Sequence, residues 1–162
     1  MTDSVEVYKE TMSHWPSGVA IVTSCFEDKF YGMTVSAFTS VSLNPPMILV
    51  CIDKKAQMCE LLQKAKKLAV NILDHTQVEL AKIFANHQLD MPDRFAQTEF
   101  DMAQTQSPVL LSCLAWLDCS IQSFHDTGDH VIYVAEVQKS QTLEQKKPVI
   151  FYRRGWYQVG DL

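Results

Sequence analysis

Thr34, Ser36, Thr39, Ser40 and Ser42 stand within nine residues, interrupted only by Val35, Ala37, Phe38 and Val41, and no charge falls among them. Surface loops this polar usually carry charge. Small hydroxyls beside open backbone amides supply donors and acceptors without bulk, which suits a flat, polar, anionic ligand. A Ser/Thr-rich edge strand has the same composition, so the segment alone leaves both readings open. Two other groups have chemistry to offer. His130 follows Gly128-Asp129, a hairpin turn signal, and opens a β-patterned run. A turn there can hold the imidazole at the mouth of a barrel, with Asp129 biasing its tautomer or charge. Asp53-Lys54-Lys55 ends an apolar run and opens a helical one. A helix N-terminus with adjacent lysines suits a phosphate, although Lys54 and Lys55 also read as plain solvated side chains.

The elements that must position these groups follow from hydrophobic periodicity. Val5, Tyr8 and Met12 predict a helix over 3–13, with Asp3 and Glu6 resembling a capping box. Val19 to Ser24 reads as a strand with a hairpin partner over 30–35, and Met47 to Ile52 as a buried strand after Pro45-Pro46. Met58, Leu61, Leu62 and Ala65 share a face of a helix over 56–66, and Leu68 to Leu73 is a strand. Thr76-x-x-Glu79 reads as a capping box for a helix ending near Asn86, and 87–107 as a long loop, a kind of segment that is often functional. In 113–121 the odd positions are apolar, which predicts one face toward a core. Strands at 131–137, 148–152 and 156–159 complete the chain. The total, about seven strands and three helices without βαβ alternation, predicts an antiparallel barrel with peripheral helices.

The 162 residues suit one domain over 1–162, and 47% hydrophobic with 20% charged residues is ordinary for a globular protein. A formal net charge of −5 repels phosphate backbones, and the basic stretches are short, which argues against nucleic acid. The start MTDSVEVYKE has no signal-peptide pattern, and no apolar run approaches a membrane span. Five scattered cysteines without C-x-x-C argue against a disulfide framework, and a cytoplasmic protein is expected. His125, Asp126, Asp129 and His130 are spaced too irregularly for a metal site, and none is expected.

Six segments occur in order: Pro16-Ser17-Gly18-Val19-Ala20-Ile21-Val22-Thr23, Gly32 to Ser42, Pro45-Pro46, Asp93-Arg94-Phe95, Gly128-Asp129-His130-x-Ile132, and Phe151 to Tyr157. Together they resemble the short-chain flavin reductases, the small reductase components of two-component flavin monooxygenases. The resemblance covers nearly the whole chain. It implies a mainly β, antiparallel Greek-key split barrel that binds FMN or FAD, and a homodimer with the flavin in a groove at its interface. It also implies hydride transfer from NADH or NADPH to the flavin, with reduced flavin supplied to a separate oxygenase; an FMN-holding, flavoredoxin-like electron carrier is the alternative.

By the same resemblance Thr34, Val35, Ser36 and Ala37 lie along the flavin ring, with Ser40, Val41 and Ser42 close to it. Strand alternation predicts that some of these hydroxyls face away, and Thr39 is the outward candidate. The flavin phosphate falls at Asp53, Lys54 and Lys55, where this chain continues Ala56-Gln57 and other members often have serine or threonine. His130 falls near flavin and nicotinamide in a positioning and electrostatic role. Phe95, Tyr152 and Tyr157 are aromatic candidates for covering a ring or packing in a core or interface. Arg94 either pairs locally or meets the nucleotide pyrophosphate. Trp15, Phe38, Trp156 and Tyr157 supply aromatic area suited to a dimer interface.

Overall fold

The computed structural model describes residues 2–143 and 146–160. Helix α1 (Thr2–Ser13) leads through β1 (Ser17–Gly18) into β2 (Ala20–Phe26), β3 (Lys29–Val35), β4 (Phe38–Leu43) and β5 (Pro46–Asp53). Next come α2 (Gln57–Ala65), β6 (Lys67–Ile72), a 3-10 turn at His75–Gln77, α3 (Val78–Ala85), α4 (Met91–Phe95), β7 (Phe100–Met102) and β8 (Pro108–Leu110). Two long strands, β9 (Ala115–Thr127) and β10 (His130–Thr142), precede a final hairpin of β11 (Val149–Tyr152) and β12 (Gly155–Gln158).

Seven strands form one antiparallel sheet in the order β3-β2-β6-β9-β10-β5-β4, curled around a core. This is the mainly β split barrel expected from the sequence. The run Val19-Ala20-Ile21-Val22 is apolar without alternation because both of its faces are buried. Ala20 and Val22 point into the barrel with Val50, Leu68, Val131 and Tyr133, where α2 adds Met58 and Leu62. Val19 and Ile21 point outward into a second core with Ala81, Phe84, Phe95, Leu110 and Trp116. A buried polar knot ties β8 to the sheet: Asn71 Nδ2 donates to the Ile21 carbonyl at 3.0 Å, and its Oδ1 accepts from the Leu110 N–H at 2.8 Å.

Three expectations change. In 113–121, Trp116 and Asp118 are buried as well as Cys119 and Ile121, because β9 serves both cores and its register shifts opposite Val137 and Lys139. Thr76 does not cap the third helix. Asp74 does the capping: its carboxylate accepts from the Thr76 N–H at 2.6 Å, while its own N–H donates to Gln77 Oε1 at 3.0 Å. The segment 87–107 is not one long loop; Asp90 caps α4, which carries Pro92 in its first turn, and β7 follows. The Asp3 half of the first capping box lies outside the described residues, since the side chains of 2 and 3 are not described. Glu6 bonds Lys9 Nζ at 2.8 Å.

Of its two expected roles, Arg94 takes the local one. Only 5% exposed, it donates from Nη1 to the carbonyls of Gly32 (3.0 Å) and Phe84 (3.2 Å), from Nη2 to Asn86 (2.7 Å) and from Nε to Leu89 (3.1 Å). It thereby ties α4 and the end of α3 to β3. Gly32 is required there by close approach: a Cβ would stand 2.6 Å from Cε1 of Phe84.

Candidate functional site

A groove of about 980 Å³ runs along the outer face of β4 and β5. Its wall follows from strand alternation. Ile48, Val50 and Ile52 point into the barrel, so Leu49 and Cys51 point out. Thr39 is opposite Leu49 and therefore shares the outer face, whereas Ser40 is opposite Ile48. Ser36 and Ala37, both exposed, link β3 to β4 at the groove's edge, held by the Cys51 N–H donating to the Ala37 carbonyl at 3.0 Å.

His130 reaches the same face through β10. Its Cα partner is Asp53, two residues beyond Cys51, while Val131 turns inward at 1% exposure. The turn that starts β10 needs a positive φ, and Gly128 supplies it at 55°. Nδ1 of His130 is 2.7 Å from Asp129 Oδ1, and this hydrogen bond and the imidazole charge hold the Asp129 carboxyl below its ordinary range. With Nδ1–H given to the carboxylate, Nε2 remains free to accept when the ring is neutral and to donate when it is charged.

The opposite wall comes from parts of the chain that the motif segment does not contain. Tyr8, Lys9 and Met12 of α1, Trp15 after it, and Arg153 and Arg154 in the β11–β12 turn all line the groove. The apolar stripe of α1 has no cover: Val5 is 51%, Tyr8 65%, Met12 47% and Trp15 72% exposed.

Residues 12–160 match the flavin reductase like domain. The chain belongs to the flavin reductase-like family. A flavin reductase of Pseudomonas putida is 32% identical over 150 residues, covering 92% of this chain and 86% of that protein. The reductase component of the 4-nitrophenol 4-monooxygenase/4-nitrocatechol 2-monooxygenase of Rhodococcus opacus is 36% identical over 146 residues, covering 90% of this chain and 76% of that one. The solved NADH:FAD oxidoreductase SgcE6 of Streptomyces globisporus C-1027, in complex with NAD and FAD fragments, superposes with a TM-score of 0.90 at 29% identity, covering 98% of this chain and 94% of that chain. The protein is thus an NAD(P)H:flavin oxidoreductase that uses FMN or FAD.

The structure of this flavin reductase gathers some of the expected site residues and separates others. Ser36, Ala37 and His130 line one groove. Thr39 lines it as well, although alternation had made it the outward candidate. Thr34 is turned away, donating its hydroxyl to the Ala81 carbonyl at 2.6 Å, and Val35 is a core residue at 6% exposure. Ser40 and Val41 lie exposed farther along β4, with a register shift between Ser40 and Ser42, and the Ser42 hydroxyl accepts from the Asn44 N–H at 3.3 Å.

At the end of β5, Asp53 Oδ1 accepts the Lys55 N–H at 2.8 Å. Lys54 is spoken for: its N–H donates to the Asp129 carbonyl at 2.9 Å and its Nζ pairs with Asp126 at 3.0 Å. Those two bonds tie the His130 hairpin to the head of α2. Ala56, at the N-cap of α2, makes no side-chain bond to the first turn, so the N–H groups there and the exposed Lys55 are the donors available to an anion.

The aromatic candidates divide. Phe95 is 6% exposed and packs edge-on against Phe84 and Phe100, with ring centroids at 5.3 and 5.2 Å. Tyr152 packs against His14 at 6.4 Å and Tyr157 at 6.1 Å, outside the groove lining. Trp156 packs on Phe151 at 5.2 Å against the second core, which removes it from the exposed aromatic surface; Trp15 and Tyr157 stay on it. The α1 contribution was missed because it carries no motif, and Arg153 and Arg154, although inside the Phe151 to Tyr157 segment, read as a short solvated basic stretch. The one signal was a helical apolar stripe with no matching partner in the chain.

The groove residues fit a flavin. The chemistry present is a charge-free strip of hydroxyl and backbone groups at Ser36 to Thr39, apolar walls from Phe38, Leu49 and Met12, and an imidazole at one end. That combination can meet both the polar edge and the faces of an isoalloxazine.

Proposed function

We propose that the chain works as a single domain, that its flavin lies against Ser36, Ala37 and Thr39, and that the reduced pyridine nucleotide docks over it near His130. The observation that carries this reading is the convergence of the hydroxyl strip and His130 on one groove. When bound, the flavin supplies the hydride-accepting nitrogen, so the protein's task is positioning and electrostatics. Ser36 and the neighbouring backbone bond the polar edge of the ring. Lys55 and the open first turn of α2 hold the phosphate. His130, aimed by Asp129, supports the negative charge that develops on reduction.

The active form is a homodimer. An α1 stripe exposed beside the groove leaves the cavity open on one side, and a second copy would close it. Reduced flavin passes to a separate oxygenase, in keeping with relatives named as monooxygenase reductase components. The cytoplasm suits this chemistry and the free cysteines, of which Cys113 and Cys119 have pKa values pushed up by burial to about 11 and about 12. Among the described residues no helix is long and apolar enough to cross a membrane.

The test is a visible spectrum of the flavin-loaded protein before and after NADH under anaerobic conditions, with steady-state NADH oxidation in added FMN or FAD. Bleaching and turnover are expected. A bound flavin that NADH and NADPH leave oxidised would make the protein an electron carrier instead. Ser36→Glu sets an anion against the polar edge of the ring and is expected to weaken flavin binding by about tenfold or more in a folded protein. Unchanged affinity by fluorescence titration would move the flavin elsewhere. Sedimentation showing a monomer with full flavin occupancy would reject the dimer.

A further inference from the structure

The β11–β12 hairpin closes through a two-residue turn, with Tyr152 paired to Gly155. The residues between them are Arg153 at φ 45° and Arg154 at φ 61°. Turns with both central residues in the left-handed region favour Asn-Gly or Gly-Gly, because a Cβ crowds the following carbonyl oxygen there. Two arginines are an unfavourable choice on backbone grounds alone, and both line the groove opposite Ser36.

Their roles are separable. Arg153 is anchored: its N–H donates to the Ser13 carbonyl at 2.8 Å, and its guanidinium stands 4.0 Å from Glu10. Of the other charged residues on the groove, Glu6 and Lys9 are bonded to each other at 2.8 Å, and His130 is bonded to Asp129. Arg154 is exposed and is the one lysine or arginine on the groove without an ion-pair partner among the described residues. Glu6, a carboxylate whose charge it feels, already holds Lys9. A fixed turn presenting a free guanidinium over a groove otherwise balanced in charge is suited to a phosphate, which arginine can bond with two N–H groups at once.

We propose that Arg154 binds a phosphate of the dinucleotide reductant, either the pyrophosphate or the ribose 2′-phosphate, with Arg153 anchoring the turn that presents it. The assignment rests on the reductase reading above and adds the residue that holds the charged half of NADH or NADPH while the nicotinamide sits near His130.

The experiment measures kcat and KM for NADH and NADPH, together with flavin affinity for FMN and FAD, in the wild type and in Arg154→Gln, Arg154→Lys and Arg154→Gly. Arg154→Gln is expected to raise the nucleotide KM about tenfold, with kcat and both flavin affinities within about twofold. An equal rise for NADH and NADPH assigns the pyrophosphate; a rise confined to NADPH assigns the 2′-phosphate. Arg154→Lys keeps the charge without the two-N–H fork and is expected to recover only part of the loss. Arg154→Gly relieves the left-handed backbone and is expected to raise Tm while still raising KM, which separates binding from folding. Unchanged KM in Arg154→Gln beside an active wild type, or a change confined to flavin affinity, overturns the assignment. A wild type that oxidises neither nucleotide overturns the reductase reading, and this assignment with it.

Discussion

Arg94→Ala is expected to cost about 3–4 kcal/mol of folding stability, the largest loss from a single polar side chain in this protein. The guanidinium is buried and meets four backbone carbonyls, those of Gly32, Phe84, Leu89 and Asn86, and no carboxylate. Burial draws its pKa down from the usual value, but a guanidinium stays charged, so each of those carbonyls keeps a strong donor. Alanine leaves them inside the protein without one, and it opens a cavity under α4. Arg94→Lys keeps the charge but cannot reproduce the planar fork, so most of the loss is expected there too. Denaturant titration should show the midpoint falling, and a thermal melt should drop by about 10 °C. A pyrophosphate-binding Arg94 would behave oppositely, with Tm intact and the nucleotide KM raised. That result would remove Arg94 from the scaffold.

His130→Ala is expected to slow reduction of the bound flavin by about 10²-fold, with flavin affinity and Tm nearly unchanged. His130 stands on the groove face of β10, 43% exposed at its side chain, with Nδ1 held by Asp129 and Nε2 free. It contributes little packing, so truncation should not unfold the hairpin. Asp129 is far more exposed, at 88%, and can turn toward water. Asp129→Asn is therefore expected to slow reduction less than His130→Ala does. Anaerobic stopped-flow reduction beside a thermal melt measures both outcomes. Wild-type reduction kinetics in His130→Ala would take the residue out of the active site, and a lowered Tm with intact kinetics would make it a hairpin-closing residue.

Much of the barrel was legible because its β-branched and alternating runs are separated by short polar segments. The β2–β3 hairpin turns at Glu27-Asp28 and the β9–β10 hairpin at Gly128-Asp129, and the pairing of Ala20 with Val35 and of His130 with Thr127 follows once those turns are placed. Where alternation failed, two cores were the cause. Trp116 and Cys119 are both buried, on opposite faces of β9, a pattern that a one-core reading of odd positions cannot produce. The helix at Met91–Phe95 had a legible start, with Asp90 accepting the Asp93 N–H at 3.1 Å and proline in the first turn, but five residues are too few to show a helical period.

The candidate site divides along the same line. Local sequence determined that a charge-free hydroxyl strip precedes a buried strand, and that a histidine follows a glycine-aspartate turn, because turn chemistry and strand period act over a few residues. Only the tertiary structure decided which hydroxyls count. Register pairs Thr39 with Leu49 on the groove face and Ser40 with Ile48 on the other, and the Ala81 carbonyl, 47 residues away, takes the Thr34 hydroxyl. The same holds for the charges. Arg94 and Arg154 look equally available in a sequence, yet one is enclosed by four carbonyls and the other is held over the groove by a strained turn. Which arginine is buried depends on contacts between segments far apart in the chain, and no local propensity encodes that.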